Sequence, residues 1–433
     1  MLKEVMFTGF YFLLFNFLLY RFRCLQLPAL RPWVTLAFFH LKFAAGLLIW
    51  VIYTFYYTDV QNNDVHKYYT DAVVLHSYGT EHPLAFAKVV LGDADALPPT
   101  IEAQLKNWSR HFDEAPFNEN QTVIKLHALL LFFSDNTYFV HILFMCFISL
   151  LGFKLLLQAI FPSADSRVLL ALPVLLLPSV LLWSSGVMKE PLLVFGLGVY
   201  VYALSHFRWN AKQVLLLFAG AWLILVVKFY VLVCLLPATA AFLWSRNANS
   251  LRTMAGKYVV VLLLLSLVVF ALPRIFSVKS PLTMLANKQE HAVKEATYFK
   301  AGSAVDIPSV TDEWSLLKAV PAGLRNVGLR PYLWECKNPL MLLSGLETLL
   351  ILVLLLAGLA LFGRQHISTY SLFLFLLFSS LLYFALIGVT TPVLGNLVRY
   401  KAPMLPLFVF AFAYQAKLIQ VPAFCHRWLL QKM

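Results

Sequence analysis

Apolar runs long enough to cross a lipid bilayer recur along this chain, and no other feature constrains its fold as tightly. They fall at about residues 5–20, 34–57, 136–160, 168–184, 190–206, 214–227, 229–244, 258–273, 339–362, 370–390 and 403–420. A helix needs about 20 predominantly apolar residues to traverse a hydrocarbon core about 30 Å thick. Inside that core every backbone polar group must be bonded within its own element, so only helices and closed barrels can span it. Barrel strands would alternate in polarity over segments of about ten residues, and these runs do not alternate. The expected fold is all-α: a polytopic transmembrane helical bundle of about 11 spans with two larger extracytoplasmic loops.

Composition agrees. Of 433 residues, 61% are hydrophobic and 13% charged, against about 45–50% and about 25% in soluble domains. The formal net charge of +13 raises the question of nucleic acid, but the basic residues are scattered in ones and twos with no basic stripe or aromatic-basic motif, which argues against that partner. The five cysteines form no C-x-x-C or metal-ligand spacing. The first run follows Lys3 and Glu4, precedes Arg21 and Arg23, and has no small-residue cleavage site behind it, so it reads as a retained helix rather than a signal peptide.

The bias of Lys and Arg toward cytoplasmic short loops sets an expected orientation. With Arg21, Arg23 and Arg31 inside, strict alternation also puts Arg167, Arg208, Lys212, residues 246–257, Arg364, Arg427 and Lys432 inside. The expected organisation is two N-terminal transmembrane helices (1–57), a first extracytoplasmic loop with an interfacial helix (58–135), a helix bundle (136–273), a second extracytoplasmic loop (274–338), and C-terminal helices with a short cytoplasmic tail (339–433). The N-terminus then lies outside and the C-terminus inside. In the first loop, Val123, Leu126, Leu129, Leu130 and Phe133 recur at helical spacing, and 101–111 is helix-compatible. Asn107-Trp-Ser and Asn120-Gln-Thr match the N-glycosylation sequon.

An ionisable side chain costs about 2.5–3.5 kcal/mol at the centre of a bilayer on insertion scales, so those near span ends either snorkel to the interface or serve a purpose. Just after the second span come Asp59, Asp64 and Asp71 with His66, Lys67 and Tyr68. A carboxylate there can take a proton from a hydroxyl or hold a divalent cation, while the alternative is a solvated loop with an N-cap at Asp64. Trp183-Ser-Ser-Gly-Val-Met-Lys-Glu-Pro places Lys189 and Glu190 at a helix start primed by Pro191. Such a start can present N–H groups and an ammonium to phosphate, or be a capped turn with a snorkelling lysine. Lys228, between two short runs, marks either an anion contact or a membrane boundary. Arg330-Pro-Tyr-Leu-Trp-Glu offers a guanidinium fork, Trp334 as a stacking surface and Glu335 to orient either. Glu347, inside an apolar run, should face the bundle interior or a salt-bridge partner. Gly395-Asn-Leu-Val-Arg-Tyr-Lys carries Asn396, Arg399, Tyr400 and Lys401 on the face where the charge bias does not explain cations.

In order, these motifs resemble those of multi-span proteins of bacterial surface-polysaccharide loci, many of them similar to the glycosyltransferase C superfamily and others polysaccharide polymerases. The resemblance implies a bacterial inner-membrane enzyme that moves a sugar from a polyprenyl-phosphate-linked donor to a glycan or lipid acceptor on the extracytoplasmic face. It implies a catalytic acid in the first large loop, at Asp64 with Asp59 or Asp71 beside it. Lys189, Lys228, Arg330, Arg399 and Lys401 would hold phosphate, and Tyr68, Trp334, Glu335, Glu190, Asn396 and Tyr400 the sugar or acceptor. A divalent cation, Mg or Mn, is compatible but not compelled by any dense ligand cluster. Two features depart from the superfamily pattern: the acidic loop follows the second span, not the first, and no paired Asp-Asp or Asp-Glu occurs in it. The competing expectation is a transporter or flippase for a lipid-linked oligosaccharide, kept open by Pro173, Pro178 and Pro237 within short spans.

Overall fold

The computed structural model describes residues 2–57, 63–93, 96–109, 118–161, 167–276, 280–363, 367–416 and 428–430. Eighteen α-helices carry these residues and no β-strand is formed among them. In chain order they are α1 (Leu2–Arg21), α2 (Pro32–Val51), α3 (Asp64–Glu81), α4 (Pro83–Leu91), α5 (Pro99–Glu102), α6 (Glu119–Ser134), α7 (Tyr138–Ile160), α8 (Val168–Leu175) and α9 (Pro178–Trp183). There follow α10 (Glu190–Ser205), α11 (Ala211–Ser245), α12 (Leu251–Phe276), α13 (Pro281–Tyr298), α14 (Glu313–Leu329), α15 (Pro339–Ala360), α16 (Ile367–Thr390), α17 (Leu394–Lys401) and α18 (Leu405–Gln415).

Seven helices among the described residues are long and apolar enough to cross a membrane: Leu2–Arg21, Pro32–Tyr56, Tyr138–Ile160, Ala211–Ser245, Leu251–Ala271, Pro339–Ala360 and Tyr370–Thr390. This is the build of a multi-pass membrane protein. The difference from about 11 predicted spans has local causes. The run 168–184 is interrupted at residues 176–177, just before Pro178, into α8 and α9, of 8 and 6 residues, far short of a crossing at about 1.5 Å per residue. The runs 214–227 and 229–244 are two helical stretches that meet at a kink at Lys228, whose φ of −154° and ψ of 84° are non-helical, and together they make up α11. The runs 190–206 and 403–420 become α10 and α18, apolar helices of 16 and 11 residues.

The chain divides into two compact units. One unit comprises Met1–Ala164, Leu181–Phe229 and Pro422–Met433, and the other Asp165–Val180 and Tyr230–Val421.

In the first unit α7 packs along α10 at paired glycines. A Cβ on Gly198 would stand 2.4 Å from the Gly152 carbonyl oxygen, and one on Gly152 would stand 2.6 Å from that of Val194. Small residues let helix backbones approach where lipid supplies no hydrophobic drive. Phe153, Leu156, Leu193, Leu197 and Val201 fill this contact with no solvent exposure. The acidic segment after the second span folds as α3, which packs on α6; the predicted helix at 122–133 is thus present, with Val123, Ile124, Ala128 and Leu131 buried. Of 101–111, only α5 and the turns to Ser109 are described. In the second unit α14 crosses α16 at Gly323 and Gly388, and α16 meets α18 through edge-on Phe384–Phe408 and Phe373–Phe412 pairs.

Candidate functional site

The first unit gathers the acidic loop and the Lys189–Glu190 turn into one polar group. α3 begins with Asn63 as its cap: the Asn63 side-chain oxygen accepts the His66 N–H at 3.1 Å. Asp64 is therefore not the cap but the first helical residue, where a negative charge suits the helix dipole. It forms an ion pair with Lys67 one turn on and lies 3.3 Å from the Tyr68 hydroxyl, which donates to it. Tyr68 is 1% exposed, and the ammonium groups of Lys67 and Lys189 lie 5.1 and 5.5 Å from its ring centroid, within the range of cation–π attraction. The Tyr68 hydroxyl is also 3.4 Å from the Asn120 side-chain oxygen.

Lys189 does not snorkel. It is buried and bonded at 2.9 Å to Glu119, a carboxylate 70 residues earlier. Glu190, at the start of α10 as Pro191 predicts, has no solvent exposure and pairs at 3.1 Å with buried Lys228. Lys228 sits at the break in α11 with a buried counter-ion. Each lysine has a buried carboxylate beside it, as a buried charge without a partner would cost several kcal/mol.

Asp71 is 2% exposed and accepts the Asn107 backbone N–H at 2.7 Å. Burial is the largest influence on its carboxyl and raises its pKa above the ordinary aspartate value, against the lowering effect of the Asn107 bonds. Its geometry is that of a staple between α3 and the 105–108 turn. His66, 2.9 Å from the Thr54 hydroxyl, has its pKa lowered by burial. The Asn120 amide, the acceptor of one sequon, is buried and donates to the Asn107 carbonyl at 2.9 Å. Asp59 lies outside the described residues.

In the second unit Arg330 follows the end of α14, pairs with Glu335 at 3.0 Å and lies 5.6 Å over the Tyr332 ring. Tyr332 stacks on Trp334, with centroids 4.8 Å apart and planes 10° from parallel; Trp334 is 82% exposed. Glu347 faces the interior as predicted, accepting the Ser179 backbone N–H at 2.7 Å and bonding the Ser179 hydroxyl. On α17, Asn396 is exposed and Arg399 half-buried. The Tyr400 carbonyl accepts the Tyr383 hydroxyl at 2.8 Å, and buried Lys401 donates to the Val327 carbonyl at 3.2 Å.

The structure therefore joins Asp64, Tyr68 and Lys189 in one group and joins Arg330 with Glu335, while Arg330, Arg399 and Lys401 belong to a different compact unit from Asp64. Sequence reasoning missed Glu119 and Asn120, whose pairing partners are remote in the chain. It also missed Lys42, a fully buried ammonium in α2 that donates to the Ser184 carbonyl and to the hydroxyls of Ser184 and Ser185. A lone cation inside the run 34–57 was the signal that could have found it. Among the described residues, no three His, Cys, Asp or Glu side chains converge as metal ligands. No family model matches the chain, and neither curated proteins nor solved structures return a match.

Proposed function

We propose that this chain is an integral membrane glycosyltransferase of cell-surface polysaccharide assembly. It transfers a sugar from a polyprenyl-phosphate-linked donor to a glycan or lipid acceptor on the extracytoplasmic face of a bacterial inner membrane, with its N-terminus outside and its C-terminus inside. The observation that carries the reading is Asp64, whose side chain is 21% exposed, fixed at the first turn of α3 by the Asn63 cap and flanked by an ammonium and a phenol donor. In this reading the Asp64 carboxylate accepts the proton of the acceptor hydroxyl as its oxygen attacks the anomeric carbon. The bond from that carbon to the phosphate oxygen breaks, and its electron pair leaves on the polyprenyl phosphate. The departing phosphate needs a cation as its charge develops, a role that the sequence resemblance gives to Lys189, Lys228, Arg330, Arg399 and Lys401. The same resemblance assigns sugar or acceptor contacts to Tyr68, Glu190, Trp334, Glu335, Asn396 and Tyr400 and is compatible with a divalent cation at the phosphate.

The test is turnover by the purified full chain in lipid nanodiscs, supplied with a polyprenyl-phosphate sugar and a candidate acceptor. Asp64→Asn should reduce it by at least about a hundredfold, the low end for loss of a general base. Unchanged turnover would remove Asp64 from the mechanism.

A second reading, a flippase for a lipid-linked oligosaccharide, draws on the break in α11 at Lys228 and the interrupted α8–α9 segment, since discontinuous helices line transporter sites. Translocation of labelled lipid-linked sugar in proteoliposomes, without transfer to any acceptor, would favour it.

A further inference from the structure

The second unit contains a cleft that the proposed chemistry does not use. It is an open cleft of about 380 Å³ where the end of α13 meets residues 300–307 and Pro392, and Thr297, Lys300 and Asp306 on it are solvent-exposed. Its polar lining is Thr297, Lys300 and Asp306, and Ala301, Val305 and Pro392 contribute apolar walls. The Lys300 and Asp306 side chains have no ion-pair or hydrogen-bond partner among the described residues. Lys300 adopts φ of +47°, a left-handed conformation that costs a non-glycine residue about 1 kcal/mol and persists where surroundings impose it.

Those surroundings are rigid. The Val305 N–H donates to the Pro392 carbonyl at 2.7 Å, and the Leu394 N–H to the Ser303 carbonyl at 3.0 Å. Buried Gln289 donates to the carbonyls of both Pro308 and Val389 and accepts the Val310 N–H. The cleft wall therefore runs straight into α17, which carries Asn396 and Arg399.

We infer that this cleft binds a sugar residue. Its volume lies within the roughly 300–1,000 Å³ of small-molecule sites and suits one or two pyranose rings. One free carboxylate and one free ammonium leave it without net charge, so a phosphate gains from Lys300 only what it loses to Asp306. Hydroxyl groups donate to the carboxylate and accept from the ammonium, and the C–H faces of a pyranose meet Ala301, Val305 and Pro392. That this sugar belongs to the glycan acceptor rests on the glycosyltransferase reading; the preference for hydroxyls does not.

The experiment is saturation-transfer NMR on the full chain in detergent micelles with the methyl glycosides of glucose, galactose, mannose and N-acetylglucosamine. At least one should give ring-proton signals, weakened about tenfold or more by Asp306→Ala, the scale of one lost charged hydrogen bond, and abolished by Ala301→Trp, which fills the cleft. Asp306 is exposed and Ala301 partly exposed on the open cleft, so the thermal unfolding midpoint should stay at the wild-type value. No signal from any glycoside, or signals that survive both variants, overturns the site; displacement of every glycoside by phosphoethanolamine would assign it to a zwitterion instead. Sugar binding without turnover removes the glycosyltransferase reading and leaves the cleft, whereas turnover unaltered by Ala301→Trp removes the assignment of the bound sugar to the acceptor and leaves the reading.

Discussion

The ammonium of Lys42 lies 2.9 Å from the Ser184 carbonyl oxygen and 2.6 Å from the Ser184 hydroxyl, so a cation in the middle of α2 holds the turn that leads to Lys189. A third bond, to the Ser185 hydroxyl at 3.1 Å, uses its remaining N–H. The rings of Phe38 and Phe153 lie 5.8 and 5.3 Å from it. Ser149 also donates to the Ser184 carbonyl, at 2.6 Å. Lys42→Met removes the charge and all three bonds while leaving that carbonyl one donor. We expect a loss of about 1–3 kcal/mol, the range for hydrogen bonds of charged groups, read as a lower unfolding midpoint in detergent. An unchanged midpoint would mean that the turn holds itself.

The Lys189–Glu119 pair predicts a strongly non-additive cycle. Glu119→Leu alone leaves a buried ammonium and should cost about 3–5 kcal/mol, whereas adding Lys189→Met should recover most of the loss. Stability of the two single variants and the double variant checks this. Additive losses would show that the two charges do not depend on each other.

Asp71 gives a pH signature of stability. Its carboxyl has a raised pKa in the folded chain, so the folded state binds more protons than the unfolded state just above the ordinary aspartate range. Its contribution to stability is fully present below the unfolded pKa and declines as pH rises through the raised folded value. Asp71→Asn keeps an oxygen to accept the Asn107 N–H and should flatten that part of the profile, making the protein no less stable at neutral pH. Asp71→Leu orphans the N–H and should destabilise by about 1–3 kcal/mol. Unfolding measured across mildly acidic to neutral pH separates the two; an identical slope in wild type and Asp71→Asn would refute the assignment.

The α14–α16 crossing predicts which glycines tolerate a methyl group. A Cβ on Gly388 would stand 2.4 Å from the Gly323 carbonyl oxygen, and one on Gly323 would stand 2.8 Å from the Gly388 carbonyl carbon. Both obstacles are backbone and cannot rotate away. Gly323→Ala and Gly388→Ala should each cost about 1–3 kcal/mol. At Gly302 and Gly9 an added Cβ meets nothing within 4 Å, so alanine there should be neutral. Thermal unfolding of the four variants is the comparison, and equal midpoints would argue against tight packing at this crossing.

Local order proved readable wherever local chemistry sets it. Pro191 starts α10, the periodic residues near Val123 and Leu130 form α6, and Glu347 turns inward because lipid offers its charge no partner. Reading failed where a partner lies far along the chain. Nothing near Lys189 announces Glu119, and nothing near Asp71 announces Asn107. Lys228 read as an end between spans because a lone cation among apolar residues looks alike at a boundary and at a buried break.

By itself, the sequence determined that this chain is helical and built to cross a membrane, since apolar runs of that length have no other way to satisfy their backbones. It also marked the helix starts, which depend on residues within one turn. Only the structure showed how many runs make helices long enough to span, because it alone shows where each helix stops or kinks. It alone decided which lysines are neutralised by buried carboxylates, because burying a charge demands a partner from wherever in the chain the fold can bring one.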